Sequence, residues 1–413
     1  MAEIESRGGN IVIVGGGHAG AALCTSLAAA GQGARVHLVC EETELPYQRP
    51  PLSKSFLKGP QEVLQPHRSE TWYADSGITL HRADPALAID RERRMLRLRS
   101  GREIGYANLV LATGARGREL AQLPHGLSNV HVLRGAADAL RLRGQLEAAQ
   151  QVTVLGGGFI GLEIAATARV LGKQVSVIEA APRLLMRSVS SELAEHVLQT
   201  HRASGIDLRL NVAAVGFVHD DERVASIAAD GQAETLDMLV LGIGAVPEVA
   251  LAQAAGLSCG QGQDSGILVD ACMRTSDASI LAIGDCANFP VHGSGRRARL
   301  ESVQNAGDQA RTALATLLGR EEPYRALPWF WSEQGSMRLQ MAGLMPLEGT
   351  CHRRPGATPA SFSCLHYVGE QLVCVESVNA PLDHMSARKL LEAGRSPAPD
   401  VACNPAVALK THL

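Results

Sequence analysis

A pattern that this chain carries twice constrains its fold more than any other feature. "IVIVGGGHAG" runs from residue 11 to 20 and "VTVLGGGFIG" from 152 to 161. In each, an apolar, β-branched run enters a turn with glycines in GxGxxG spacing and leaves into an Ala-rich segment. Gly15, Gly17 and Gly20 form the first set, and Gly156, Gly158 and Gly161 the second. The first glycine of such a set permits the tight turn, and the second lets the backbone approach a pyrophosphate. The third lets helix and strand pack closely, so the helix N-terminus faces the phosphates. Each unit then reaches a second apolar strand, "RVHLVC" before Glu41 and "QVSVI" before Glu179, where a carboxylate can bind ribose hydroxyls. Two complete units of strand, turn, helix, strand and acid predict two dinucleotides in two Rossmann-type domains of an α/β fold.

Residues 11 to 31 contain no Asp, Glu, Lys or Arg and are nearly long enough to cross a bilayer. The order of β-branched run, glycine turn and Ala-rich segment argues instead for a strand over Ile11 to Val14 and a helix from about Ala19 to Ala30. A chain of 413 residues exceeds what one core serves, so two or three domains are expected. With 46% hydrophobic and 20% charged residues the class is globular, and the 42 glycines belong in turns or near ligands. A net charge of -3 gives no reason to expect a nucleic-acid partner. The start "MAEIESRGGN" has acids and no apolar core, so no secretory signal is expected there. The nine cysteines show no CxxC and no paired spacing of a zinc or disulfide framework. They read as reduced, mostly buried thiols of a cytoplasmic protein, with no metal site and no membrane association.

Two further segments, "YANLVLATGARG" (106 to 117) and "LDMLVLGIGAVPE" (236 to 248), run a buried strand into a glycine turn, and each can close one unit. Gly244 lies in the second. Asp285 follows the apolar run "ILAIG", where an acid can hold a sugar-like hydroxyl or cap a helix. Glu179 suits the free 2′-hydroxyl of NADH and would repel a 2′-phosphate; Ala180 offers no offsetting cation, and Arg183 reads as a surface cation. In "PYQRPPLSKSF" (46 to 56) two prolines stiffen the chain, which either fixes Arg49 and Lys54 against a ligand or makes an exposed turn.

With these pieces in this order, the chain resembles the FAD-dependent pyridine-nucleotide oxidoreductases of the glutathione reductase structural class. Within that class it is most similar to the ferredoxin reductases of bacterial aromatic-ring dioxygenases and of the putidaredoxin reductase type. "GGGHAG", "GGGFIGLEIAATAR" and the "AIGD" of "AIGDCAN" mark the broad class, "RPPLSK" and "PWFWSEQ" are much narrower, and "LVLATGA" and "ESVQNA" match as well. The resemblance implies that Gly15, Gly17 and Gly20 take the FAD pyrophosphate, Glu41 the adenosine ribose and Asp285 the ribityl chain. It places Arg49 and Lys54 along the flavin, Ala86 near the adenine through its backbone, and Arg134 and Val303 among other cofactor contacts. Trp331 packs near the isoalloxazine in that pattern, or is a core residue of a C-terminal sheet. NAD would be held by Gly156, Gly158, Ile160, Gly161, Glu179 and Gly244. Glu163 either sits near the nicotinamide or stabilises its helix dipole from the first turn. Lys54, Glu163 and Trp331 are the catalytic candidates, with Lys54 able to stabilise negative charge on a reduced flavin.

Disulfide reductases of this class carry a CxxxxC pair in this part of the chain, and related peroxidases a single cysteine after "LS". Here Lys54 follows "PLS", and Cys40 is a poor substitute, so no thiol relay is expected and a disulfide substrate is disfavoured. The implied activity is electron transfer from NADH through FAD to a two-iron two-sulfur ferredoxin, foremost the Rieske-type ferredoxin of an aromatic-ring dioxygenase. The ferredoxin of a cytochrome monooxygenase, an NADH oxidase or peroxidase activity, and a signalling flavoprotein are the alternatives. Basic residues of "GRR" (295 to 297) and Arg299 are candidate contacts for an acidic ferredoxin. The expected layout is an FAD domain over 8–116 and 247–325, an NAD domain over 117–246 and a C-terminal α/β domain over 326–413, in a monomer or weak homodimer.

Overall fold

The computed structural model describes residues 9–262, 265–292 and 295–413. Residues 1–8, and with them the reading of the N-terminus, lie outside it. The chain forms two compact units. One gathers the residues up to Arg49 with Leu64–Arg116 and Val246–Ala326; the other gathers Pro50–Val63, Gly117–Ala245 and Leu327–Leu413.

At the centre of the first unit is a five-stranded parallel sheet in the order Ile280–Ala282, Asn108–Leu111, Ile11–Val14, Val36–Val39, Thr79–His81. All four residues of Ile11–Val14 are buried, as expected for a central parallel strand covered on both faces. Helix His18–Ala29 follows it and packs along helix Val303–Leu317. Small residues on the first helix, Ala19, Gly20 and Ala21, are buried, and Gly20 lets the helix pack closely on the glycine turn, since a Cβ there would overlap the Gly15 carbonyl oxygen. An antiparallel meander, Ala86–Asp90, Met95–Leu98 and Glu103–Gly105, adds Leu96, Leu98 and Ile104 to the same core.

The second unit repeats the plan with parallel strands in the order Asp207–Arg209, Gln174–Ile178, Gln151–Leu155, Met238–Leu241, Val130–His131. Helix Phe159–Val170 follows the central strand, and helix Ser191–Ala203 begins at a Ser190 side chain that accepts from the Leu193 N–H. A five-stranded antiparallel sheet is built from Trp329–Gln334, Met337–Gly343, Gln371–Val378, Phe362–Val368 and Thr350–Pro355. One face of it joins the core of the nucleotide-type sheet: Met337, Leu339, Met341, Phe362 and Val378 are buried together with Val152, Val154 and Ile164. The other face buries Leu365, Tyr367 and Val375 against helix Pro381–Glu392. A fully buried aliphatic side chain contributes about 1.5–3 kcal/mol, so this shared core explains why the C-terminal residues cluster with the second nucleotide-type sheet. Among the described residues, no helix is long and apolar enough to cross a membrane.

Candidate functional site: two nucleotide cradles and a buried ion pair

In the first unit Gly15 has a φ of +117°, and a Cβ there would overlap the Ala112 carbonyl oxygen. A Cβ on Gly20 would overlap the Gly15 carbonyl oxygen, so the outer glycines of the turn are demanded by the chain's own backbone. Gly17 differs. The nearest atom to a Cβ at this position is Arg49 Nε at 3.9 Å, which leaves the middle glycine clear of protein and beside a cation. The second unit has the same division. Gly156 has a φ of +106° and its Cβ would lie 2.5 Å from the Gly242 carbonyl oxygen, while a Cβ on Gly161 would lie 2.5 Å from that of Gly156. At Gly158 the nearest atom is 3.7 Å away. Each turn therefore has an open centre at the N-terminus of its helix, which fits a dinucleotide pyrophosphate.

The acids after the second strands are not equivalent. Gly15 N–H donates to Val39 O and Gly156 N–H to Ile178 O, so Cys40, not Glu41, occupies the position matching Glu179. Glu179 is fixed by the backbone: Oε2 accepts from Gly157 N–H at 2.6 Å and Oε1 from Ala181 N–H at 2.7 Å. Glu41 is exposed one residue further on, and its neighbour Glu42 accepts from Tyr47 Oη and from Arg49, each at 2.6 Å. Arg183 donates to the carbonyls of Met186 and Val189, each at 2.8 Å, in keeping with its reading as a loop cation. Arg187, not singled out by sequence, approaches within 3.6 Å of a Cβ placed on Gly244.

Asp285 sits half-buried inside the short 3-10 turn Gly284–Cys286 rather than at a helix N-cap. Gly284 brings that turn against the fingerprint helix, since a Cβ on it would lie 3.0 Å from Ala19 Cβ. Gln309 of helix Val303–Leu317 accepts from Gly284 N–H at 2.7 Å. Val303 opens that helix, and Ala86 opens the strand Ala86–Asp90 opposite Leu98. These residues thus share one unit with the first glycine turn. Arg134 precedes helix Ala136–Ala148 in the second unit, where its N–H donates to Asp138 at 3.0 Å. Ile160 is exposed on the first turn of its helix.

Glu163 is 3% exposed and lies beyond the first turn of helix Phe159–Val170, so the dipole reading does not describe it. Its Oε2 accepts from Lys54 Nζ at 2.6 Å and Ser53 Oγ at 2.5 Å, and its Oε1 accepts from Ser332 Oγ at 2.7 Å. Thr167 Oγ1 donates to Ser53 O at 2.9 Å, Gln334 Nε2 to Ser332 Oγ at 3.1 Å, and Gln334 Oε1 meets His201 Nε2 at 2.8 Å. The sequence marks Lys54 and Glu163 separately and carries no signal that they pair, or that Ser53 and Ser332 anchor them. Trp331 precedes Ser332 and is half-buried, with its ring 5.8 Å from that of Trp329.

Burial pushes the Cys40 thiol up to about 12, and Cys24 and Cys286 are raised by the same desolvation. Neutral thiols of this kind cannot relay electrons as thiolates. Of the basic cluster, Arg297 donates to Val269 O and Asn288, and Arg299 to Asp285 O and Glu301, so both are committed within the fold.

Two parallel sheets, each with an open glycine turn at the start of a helix, define a protein built to hold two dinucleotides. The chain belongs to the pyridine nucleotide-disulphide oxidoreductase family, whose model matches residues 9–310, and residues 329–413 match the reductase C-terminal family. It is 40% identical to rhodocoxin reductase of Rhodococcus erythropolis, over 98% of this chain and 94% of that protein. It is 38% identical to the ferredoxin–NAD(+) reductase component of the anthranilate 1,2-dioxygenase system of Burkholderia cepacia, over 97% and 98% of the two chains. The crystal structure of the ferredoxin reductase for the CYP199A2 system from Rhodopseudomonas palustris superposes with a TM-score of 0.93 at 40% identity, covering 98% of this chain and 99% of that one.

Proposed function

We propose that this protein is an NADH-dependent flavoprotein reductase that passes electrons through FAD to a two-iron two-sulfur ferredoxin. The observation that carries this reading is the pair of glycine turns, each closed by its own backbone at the outer glycines and clear at the middle one. The names of the similar proteins, reductases of ferredoxin systems, support it. Gly15, Gly17 and Gly20, with Arg49, Glu41, Asp285, Ala86 and Val303, would hold FAD. Gly156, Gly158, Ile160, Gly161, Glu179 and Gly244 would hold NADH. When bound, FAD accepts a hydride from NADH and releases the two electrons singly, which matches a one-electron carrier.

The chain's own residues bind and orient. Arg49 places a cation beside Gly17, where phosphate charge would fall. Glu179, held by two backbone N–H groups, accepts from a 2′-hydroxyl and repels a 2′-phosphate. Ser53 and Ser332 fix the Glu163 carboxylate, and Glu163 in turn holds the Lys54 ammonium in one place, so that neither group must reorganise during reaction. The buried Cys40 thiol supplies no relay toward a disulfide.

The partner we favour is the Rieske-type ferredoxin of an aromatic-ring dioxygenase, met by a monomer or weak homodimer. Likeness to the reductase for the CYP199A2 system favours, as a second reading, the ferredoxin of a cytochrome monooxygenase. Steady-state NADH consumption with ferredoxin, with oxygen alone and with glutathione disulfide tests the class. Consumption should accelerate only with ferredoxin; equal rates in its absence, or turnover of the disulfide, would overturn the reading.

A further inference from the structure

The C-terminal sheet carries a side-chain cluster that electron transfer leaves unused. On strand Thr350–Pro355, Cys351 stands opposite His366 of strand Phe362–Val368, and Cys364 lies two residues before His366. Alternate residues of a strand share a face, so both thiols project to the same side. Helix Ser191–Ala203 supplies Glu192, whose Oε2 accepts from Cys351 Sγ at 3.9 Å. The ligand atoms of Glu192, Cys351 and Cys364 all lie within 4.8 Å of one another.

Two thiols this close suggest a disulfide, but their register opposes one. Cys364 is opposite Arg353, so Cys351 and Cys364 are diagonal neighbours. Diagonal positions sit about 7–8 Å apart, at or beyond the roughly 7 Å limit that a disulfide tolerates without backbone movement. A metal ion relaxes that limit, because it stands between the sulfurs. With bonds of about 2.3 Å to sulfur and about 2.0–2.2 Å to oxygen, tetrahedral donors lie a little under 4 Å apart, within a small side-chain adjustment of the spacing here. The donors are also held from behind. Glu192 Oε1 accepts from Arg353 at 3.2 Å, which leaves Oε2 for the cluster. His366, opposite Cys351 in register and hydrogen-bonded to its sulfur, has its Nε2 2.8 Å from the buried Glu376 carboxylate, and Glu376 Oε1 accepts from Ser190 N–H at 2.9 Å. Metal ligands are oriented by outer partners of this kind.

We propose that Glu192, Cys351 and Cys364 form a three-ligand site for a thiophilic divalent metal of the zinc type, with a fourth position open on the exposed Cys351 side. On binding, both sulfurs coordinate as thiolates, any proton still carried by a thiol passing to solvent, and the ion joins helix Ser191–Ala203 to the C-terminal sheet. This assignment is independent of the electron-transfer reading.

The test adds zinc(II) or cobalt(II) alone to the reduced, FAD-loaded full chain. One equivalent of cobalt(II) should bind with thiolate-to-metal charge-transfer absorption, and zinc(II) should raise the unfolding temperature. Cys351→Ser and Glu192→Gln change side chains that are not buried in the core, and each should weaken zinc binding about 100-fold or more while leaving metal-free NADH oxidation unchanged. Cys374→Ser, outside the ligand set, should bind as the parent does. Zinc binding no tighter in the parent than in Cys351→Ser, or cobalt bound without the thiolate signature, would overturn the proposal.

Discussion

Lys54 and Glu163 stand 109 positions apart in the chain and 2.6 Å apart in the fold, Nζ to Oε2. Glu163 is 4% exposed at its side chain and Lys54 19%, so the pair is largely shielded from water. Removing one partner of a buried pair usually costs about 3–5 kcal/mol. Lys54→Met should cost less, about 1–3 kcal/mol in urea unfolding, because Ser53 and Ser332 still donate to the carboxylate. Glu163→Gln should slow NADH-dependent flavin reduction about tenfold or more, equivalent to about 1.4 kcal/mol. The double variant should fall short of the sum of the two single effects, as contacting residues do.

The glycine turns predict a clean separation of the two nucleotides. Gly17→Ala and Gly158→Ala add a methyl group where no protein atom stands within 3.7 Å, so both should fold. Gly17→Ala should purify with much less FAD per chain. Gly158→Ala should keep its FAD and raise the KM for NADH about tenfold or more, the fold-change of about 1.4 kcal/mol. Flavin absorbance per protein and steady-state kinetics check the two outcomes. The converse pattern would reassign the turns.

Coenzyme choice should follow Glu179. Glu179→Ala removes the carboxylate that two backbone N–H groups hold in place. The ratio of kcat/KM for NADH over NADPH should fall about tenfold or more, since a like-charge clash with the 2′-phosphate is then lost. An unchanged ratio would place the selectivity elsewhere, with Arg187 beside Gly244 the next residue to vary.

His384, buried on helix Pro381–Glu392, predicts an acid-sensitive C-terminal region. It is 2% exposed, and burial first, then Arg388 and Arg338, lower it to about 4. The unfolded chain therefore binds a proton that the folded chain refuses between about pH 6.5 and pH 4. Stability from this residue is complete above pH 6.5 and is lost as the pH falls through that window, by at most about 3 kcal/mol. Urea unfolding at pH 7 and pH 4.5 should show a smaller acid loss in His384→Phe than in the parent.

The parts legible in the sequence were those set by local backbone geometry. Gly15 and Gly156 must turn with positive φ beneath a neighbouring carbonyl, and no other residue type does so without strain, so the fingerprints could be read as strand, turn and helix. Counting to the next acid does not find the matching position. Cys40 takes the place matching Glu179, because a one-residue difference in where the strand ends leaves no mark on composition. Lys54 and Glu163 were each singled out, yet their pairing, and its anchors Ser53 and Ser332, come from the packing of the segment Pro50–Val63 and the C-terminal sheet against one helix. Cys351 and Cys364 look unrelated at a separation of 13 for the same reason: only antiparallel register brings them to one face. Non-local pairing of this sort is written in strand register, which single-chain periodicity does not specify.

The most direct measurement is anaerobic rapid mixing of the NADH-reduced protein with a Rieske-type ferredoxin, following flavin and iron-sulfur absorbance together. Flavin reoxidation that matches ferredoxin reduction, two ferredoxins per flavin, is the predicted result. A reduced flavin that ignores the ferredoxin and reoxidises only when oxygen or peroxide is admitted would contradict it and point to an oxidase.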